Sequence, residues 1–364
     1  MSAEPSALRL VGRTCVQFDG RKLAHFSGCD YYRLSSHHEV LRAALEALKR
    51  HGLGVSASRV TTGNHELYLQ LERALTGFFQ AEAALLMPNG YVCATAVAQT
   101  LADQITHALI DERAHACLFD AARFLKCPVF VFRHRSPDSL AAELHKVRDP
   151  SRLLLLTDGM FAHDGSVAPL KAYRSRLPGS ATLLVDDAHG AGVLGAHGRG
   201  ALEHEGIATG PRVIQTITLS KAFGAYGGAV LGTAALRKRM IERARVFVGS
   251  TPVPLPMAAA ALRGVELVSK DRAMRLRLRE NSVRLRTALT RRGIEAVDMP
   301  GPIVRLELAP AALERTARAL LDNGVFPPVT RYLGAAPALR VVVSSEHTAG
   351  QLNRLVRAIS EASR

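Results

Sequence analysis

The chain has 364 residues, 48% of them hydrophobic and 22% charged, a balance that calls for packed domains and excludes a disordered tail. Its 47 basic against 32 acidic residues leave a formal charge of +15, which suits an anionic partner or simply solubility. No nucleic-acid recognition motif accompanies that charge and no apolar run reaches the roughly 18 residues of a membrane span, so neither nucleic acid nor a membrane is an expected partner.

The opening "MSAEPSALRL" lacks the charged start and apolar run of a secretory signal. The five cysteines (Cys15, Cys29, Cys93, Cys117, Cys127) contain no C-x-x-C pair. A cytoplasmic protein without a metal site is therefore expected. The first 40 residues read as an irregular arm, and the helix "EVLRAALEALKRHG" follows it, ending at Gly52.

Segments then alternate. Helices are expected at "HELYLQLERALTGFF", after "NGY", at "ACLFDAARFL", "SLAAELHKV" and "LKAYRSRL", and strands at "HALID", "PVFVF", "RLLLLTD", "ATLLVDD", "VIQTITLS" and "GGAVLGT". Continuous apolar strands between helices mean a largely parallel sheet covered on both faces. Past "STPVPLPMAAAAL" a long helical stretch leads into strand "GPIVRLEL", helix "AALERTARALLDNG", strand "ALRVVVSS" and helix "TAGQLNRLVRAI". The expected domains are an arm over 1–42, a large α/β domain over 43–252 and a small α+β domain over 253–364.

Basic residues are densest from Lys270 to Gly293, where Lys270 and eight arginines outnumber Asp271 and Glu280. Met274, Leu278, Leu285 and Leu289 recur there near helical spacing, which reads as a helix with a solvated face; a docking face for an acidic carrier protein or phosphorylated cofactor is the alternative.

"VDDAHGAGVLGAHGRG" spells G-x-G-x-x-G with Gly190, Gly192 and Gly195. A dinucleotide loop needs its first glycine directly after a strand and an acidic residue about 20 positions on. Here "DDAH" intervenes and no such strand follows. The glycines are expected in a tight turn, and the interest shifts to the residues before them.

In an open α/β sheet, ligands gather at the carboxyl ends of strands. Three such ends carry polar groups: Asp158; Asp186, Asp187 and His189; and Thr218, Ser220 and Lys221. Lys221 alone reads as a structural lysine. With an upstream aspartate it becomes half of a pyridoxal-phosphate (PLP) requirement, because the cofactor needs a lysine for its Schiff base and a carboxylate to keep the ring nitrogen protonated.

The blocks "TGNHELYLQLE", "NGYVCATAV", "DERAHACL", "DGMFAHDGSVAPL", "VDDAHGAGVLGAHGRG", "TLSKAFGAYGGAVLGT" and "STPVPLP" carry a specific resemblance to the α-oxoamine synthases, running from about Phe26 to the C-terminus. The resemblance implies an α/β PLP-dependent transferase of fold type I, with a mostly parallel seven-stranded sheet in the large domain. It implies Lys221 as the Schiff-base lysine, Asp186 as partner of the ring nitrogen, His189 as donor to the phenolic oxygen and His115 as the stacking histidine. Gly90, Tyr91 and Thr218 match phosphate contacts, while Ser250 and Thr251 match the stretch reaching a neighbouring subunit's phosphate in a homodimer with shared sites. Arg340 resembles the arginine that grips an amino acid's carboxylate, and Asp187 is left structural.

The implied reaction joins an amino acid to an acyl thioester of coenzyme A or an acyl carrier protein, with decarboxylation to an α-aminoketone. Other PLP carbanion chemistry, namely aldol-type addition, transamination or racemisation, is the alternative. Departures from the family pattern cluster where substrate would lie. Ala162 and His163 stand where the family has a serine and methionine, Cys29 replaces an asparagine, Tyr32 and Arg33 replace Leu-Gly, Arg331 falls at a threonine, and "FRHRS" replaces F-x-H-N-D.

Overall fold

The computed structural model describes residues 7–330 and 336–362. They fall into two compact units: one comprises Ala273 onward, His163–Gly165 and the chain through Ser36, and the other His37–Ala162 with Ser166–Arg272.

The units divide at 36 and 272, against the boundaries near 42 and 252 expected from sequence. Two packing facts move them. Helix His38–His51 lies on helix Leu255–Lys270, which also packs on helix Glu66–Phe79, so the helix after "STPVP" is part of the larger unit. The N-terminal segment is also not irregular. It forms strands β1 (Arg9–Val11), β2 (Cys15–Phe18) and β3 (Arg21–His25), each five residues or fewer and too short for an alternation to show.

The larger unit is built on β4 (Ala83–Met87), β5 (His107–Asp111), β6 (Val129–Phe132), β7 (Leu153–Asp158), β8 (Thr182–Asp186), β9 (Val213–Thr218) and β10 (Gly228–Gly232). Their order is β4-β10-β9-β8-β7-β5-β6, and β10 alone runs against the others. Every residue of β7 and β9 is buried, as the uninterrupted apolar runs required. β4 escaped the sequence reading because "AALLM" has no period and follows helix Glu66–Phe79 by three residues; Gln80, at φ 54°, ends that helix in a left-handed turn. Helices Tyr91–Leu101 and Ala116–Ala122 cover one face, closing a core around Val97, Leu118, Ile110, Leu156 and Leu184.

The smaller unit contains β11 (Ile303–Leu306), β12 (Val325–Phe326), β13 (Val329–Thr330) and β14 (Ala338–Val342). β11, β14 and β13 form an antiparallel sheet in that order, while β12 extends the β1-β2-β3 sheet by pairing parallel to β3. Leu285, Leu289, Leu320, Val341, Leu355 and Ile359 fill its core.

The basic stretch is helical over Arg272–Thr290, with Met274, Leu278, Leu285 and Leu289 buried as spaced. Arg286 is not on its solvated face. It is buried, and its guanidinium donates to the carbonyls of Gly301 and Ile303 at 2.8 Å.

Candidate active site

β7, β8 and β9 end side by side, and each ends in a polar residue: Asp158, Asp186 and Thr218. Asp158 and Asp186 are register partners. Because β10 runs the other way, its first residue, Gly228, lies opposite Thr218 at the same edge. Gly228 has no room for a side chain: a Cβ would stand 2.6 Å from the backbone carbonyl of Asn89. Gly90 is equally confined, with a Cβ falling 2.8 Å from that of Thr218. The two glycines let the turn before helix Tyr91–Leu101 settle onto the strand end. That helix presents the positive end of its dipole there, the usual cradle for an anion.

A cavity of about 250 Å³ opens at this edge, walled by Gly90, Tyr91, His115, Asp186, His189, Thr218 and Lys221 among others. Seven residues singled out from sequence thus meet around one space. Ser250 and Thr251 are not on its wall: they follow helix Arg245–Gly249, with Thr251 exposed. Arg340 belongs to the smaller unit, buried on β14 with its Nη2 3.9 Å from Cys29 Sγ. Arg331 lies outside the described residues.

Lys221, half-buried just past β9, places Nζ 2.8 Å from His189 Nε2. His189 is carried by the turn after β8, where Ala188 N donates to Asp186 Oδ1 at 3.1 Å. Asp186 is buried at 5% exposure. Its register partner Asp158 is held well above the usual carboxylate range by burial and by Asp186, while accepting a 2.8 Å bond from His115 N.

His115 caps helix Ala116–Ala122: its Nδ1 accepts from Cys117 N at 3.3 Å. Desolvation lowers the ring's pKa, and Lys221 adds to that, against an opposing pull from Asp186. The ring of Tyr91 stands edge-on, with centroids 6.0 Å apart.

Cys117 was not foreseen as a site residue. It is buried, donates its thiol to Asp186 Oδ2 at 3.1 Å, and is pushed far up in pKa by burial and then by Asp186. The available signal was its place two residues after His115, in the turn that faces the sheet edge. Asn89, Ser220 and Tyr226 also line the cavity, and Ser220 Oγ is bonded to Thr218 Oγ1 at 2.8 Å.

Asp187 turns away. It accepts from Ala201 N at 2.8 Å and Gln215 Nε2 at 2.7 Å, and burial raises its pKa to about 7. Gly190, Gly192 and Gly195 do not begin a long helix: the next one is Ala201–His204. Gly192, at φ 81°, is pinned because a Cβ would stand 2.6 Å from that of Ala222, the neighbour of Lys221. The glycine motif thus shapes a turn beside the lysine.

Where the family pattern has histidine followed by asparagine and aspartate, His134 is retained. Its Nδ1 bonds Asp111 Oδ1 at 2.9 Å, and Ser166 Oγ lies 3.4 Å from its Nε2. Ser166 is 1% exposed, so this Ser-His-Asp arrangement is packing within the fold and offers no accessible nucleophile. Arg33, in place of the family's glycine, takes φ 54° and donates to His25 O at 3.1 Å.

The donor set fits PLP. It offers an amine for the aldehyde, a buried carboxylate for the ring nitrogen, two histidines, and a glycine-lined helix start for the phosphate.

A family model described as aminotransferase class I and II matches residues 26–359. The 8-amino-7-oxononanoate synthase of Thioalkalivibrio sulfidiphilus (strain HL-EbGR7) is 36% identical over 352 residues, 95% of this chain and 90% of that protein. Among solved structures, SPT with PLP superposes with a TM-score of 0.89 at 25% identity, covering 98% of this chain and 92% of that one. The 8-amino-7-oxononanoate synthase from Francisella tularensis superposes with a TM-score of 0.80 at 25% identity, covering 93% and 97%. The sheet-edge cavity, its lysine and aspartate, and these relationships agree: the chain belongs to the aminotransferase class I and II family, as a PLP-dependent α-oxoamine synthase of fold type I.

Proposed function

We propose that the chain joins alanine to an acyl thioester, releasing free thiol and carbon dioxide and leaving an α-aminoketone. The carrying observation is Lys221 Nζ set 2.8 Å from His189 Nε2, in a cavity whose wall includes the buried Asp186. Alanine is favoured over glycine and serine by the relatives named for 8-amino-7-oxononanoate. In that compound, the terminal methyl and its amine-bearing carbon are what alanine leaves after losing its carboxyl.

When bound, PLP supplies an aldehyde that takes up an amine and a ring that spreads carbanion charge. Lys221 would anchor the cofactor through Nζ, and the same Nζ would be the base that receives the α-proton. His189, hydrogen-bonded to Nζ, steers the amine and serves the phenolic oxygen. Asp186 is assigned to the ring nitrogen, with Oδ1 fixed by Ala188 N. His115, its pKa lowered, stays neutral and can lie against an electron-poor ring without charge repulsion.

Gly90, Tyr91 and Thr218 are assigned to the phosphate. Ser250 and Thr251 are assigned to that of a neighbouring subunit, which makes the working unit a homodimer. Arg340 is assigned to the substrate carboxylate, for which its guanidinium fork is suited. The acyl group arrives on coenzyme A or a carrier protein. A reducing cytoplasm fits the five free cysteines, and no helix among the described residues is long and apolar enough to cross a membrane.

The test is thiol and carbon dioxide release from acyl thioester by the PLP-loaded protein, with alanine, glycine and serine in parallel. Alanine-dependent release of both is expected. Amino-acid consumption without thiol release overturns the proposal in favour of transamination, racemisation or aldol-type chemistry.

A further inference from the structure

We propose that Cys117 is a positioning residue that keeps Asp186 and His115 in register, orienting Asp186 through its thiol and His115 through its backbone N–H. The proposal rests on the assignment of Asp186 to the cofactor's ring nitrogen.

Cys117 Sγ sits 3.1 Å from Asp186 Oδ2 and 3.0 Å from His115 Nδ1. A thiol has one proton to give. Nδ1 already accepts from Cys117 N at 3.3 Å, so the thiol proton goes to the carboxylate. Asp186 then has one oxygen tied to Ala188 N and the other to Cys117, which fixes the plane of the carboxylate. The same residue ties down the histidine by its backbone. Helix Ala116–Ala122 carries both bonds, and Cys117, at 1% exposure, has no room to swing away.

These three side chains have their ligand atoms within 4.8 Å of one another, the spacing of a metal cluster. Their protons argue for a different use. The lone pair of Nδ1 is aimed at a backbone N–H and the thiol at a carboxylate, so the donors are satisfied by one another. A thiol is also a weaker donor than a hydroxyl. It orients Asp186 while leaving more of the negative charge for the ring side.

The experiment compares Cys117→Ala, Cys117→Ser and the volume-keeping Cys117→Val. The readouts are PLP affinity of the apoprotein by equilibrium dialysis, the visible circular dichroism of the bound cofactor, and far-ultraviolet circular dichroism for folding. Loss of the donor in the alanine or valine variant is expected to weaken PLP binding about tenfold and change the visible signal, with serine restoring both. In an Asp186→Asn background the same substitutions are expected to have no further effect.

Wild-type affinity in folded Cys117→Ala or Cys117→Val overturns the proposal. So does a Cys117→Ser variant as impaired as these, or an undiminished effect in the Asp186→Asn background. A wild-type protein that takes up no PLP overturns the proposed function itself, and this inference with it.

Discussion

Lys221 Nζ and His189 Nε2 stand 2.8 Å apart, each just beyond the end of one of two adjacent parallel strands. Lys221→Ala is expected to abolish turnover and the visible absorbance of a lysine-bound cofactor. His189→Asn is expected to keep that absorbance while slowing thiol release on the order of 10²-fold. Absorbance spectra and thiol-release kinetics on both variants check this; a His189→Asn enzyme as fast as wild type contradicts the role given to the histidine.

Gly90 is held against Thr218, and Gly90→Ala adds a Cβ 2.8 Å from the threonine's Cβ. The turn must lift from the strand end, at about 1–3 kcal/mol for the overpacking. PLP affinity should fall on the order of 10- to 100-fold, measured by dialysis of the folded variant. Unchanged affinity would remove Gly90 from the phosphate site.

Arg33 occupies left-handed backbone at φ 54° while its guanidinium reaches His25 O. Truncation costs the hydrogen bond whichever residue replaces it, but glycine alone is at ease with that φ. Arg33→Gly should therefore be more stable than Arg33→Ala by about 1 kcal/mol in urea denaturation. Equal stability, or a reversal, would show that the backbone there relaxes.

His347 accepts from Ser344 N through Nδ1 and donates through Nε2 to His25 O, so both ring atoms are matched to the neutral form. Burial, then Arg33, lowers its pKa to about 3. The unfolded chain, with an ordinary pKa near 6.5, binds more protons through that window, so stability falls as pH falls. His25 shifts the same way, to about 4, for the same reasons. Between pH 7 and pH 5 the wild type should lose up to about 2 kcal/mol relative to His347→Asn. Denaturant titrations of both proteins at the two pH values test it, and parallel pH dependences would refute it.

Much of this molecule is legible in its sequence. The long apolar runs "RLLLLTD" and "VIQTITLS" became β7 and β9, and the polar residues at their ends were the ones to watch because an α/β sheet delivers its strand ends to one edge. The G-x-G-x-x-G spelling could be set aside from its context alone. What failed had weak local signals. β1, β2 and β3 are short strands that pair in sequence order and are extended by β12, some 300 residues away, and β4 gains its identity from pairing with β10. Arg286, read as part of a charged surface, is buried because three backbone carbonyls converge on it from residues 11 to 17 positions further along.

The cofactor chemistry was legible along the chain, since Asp186 and Lys221 supply a carboxylate and an amine at two strand ends and the resemblance to the α-oxoamine synthases matched them, with His189, to that family's motif. The resemblance pointed to Asp186 and left Asp187 structural, and the tertiary structure supplies the physical reason: β9 offers Gln215 to Asp187 and takes it out of play. Only tertiary structure placed Cys117 against Asp186, 69 residues apart. A sequence records which groups are present, whereas a hydrogen bond depends on distances of about 3 Å, and those are set by how the strands and helices pack.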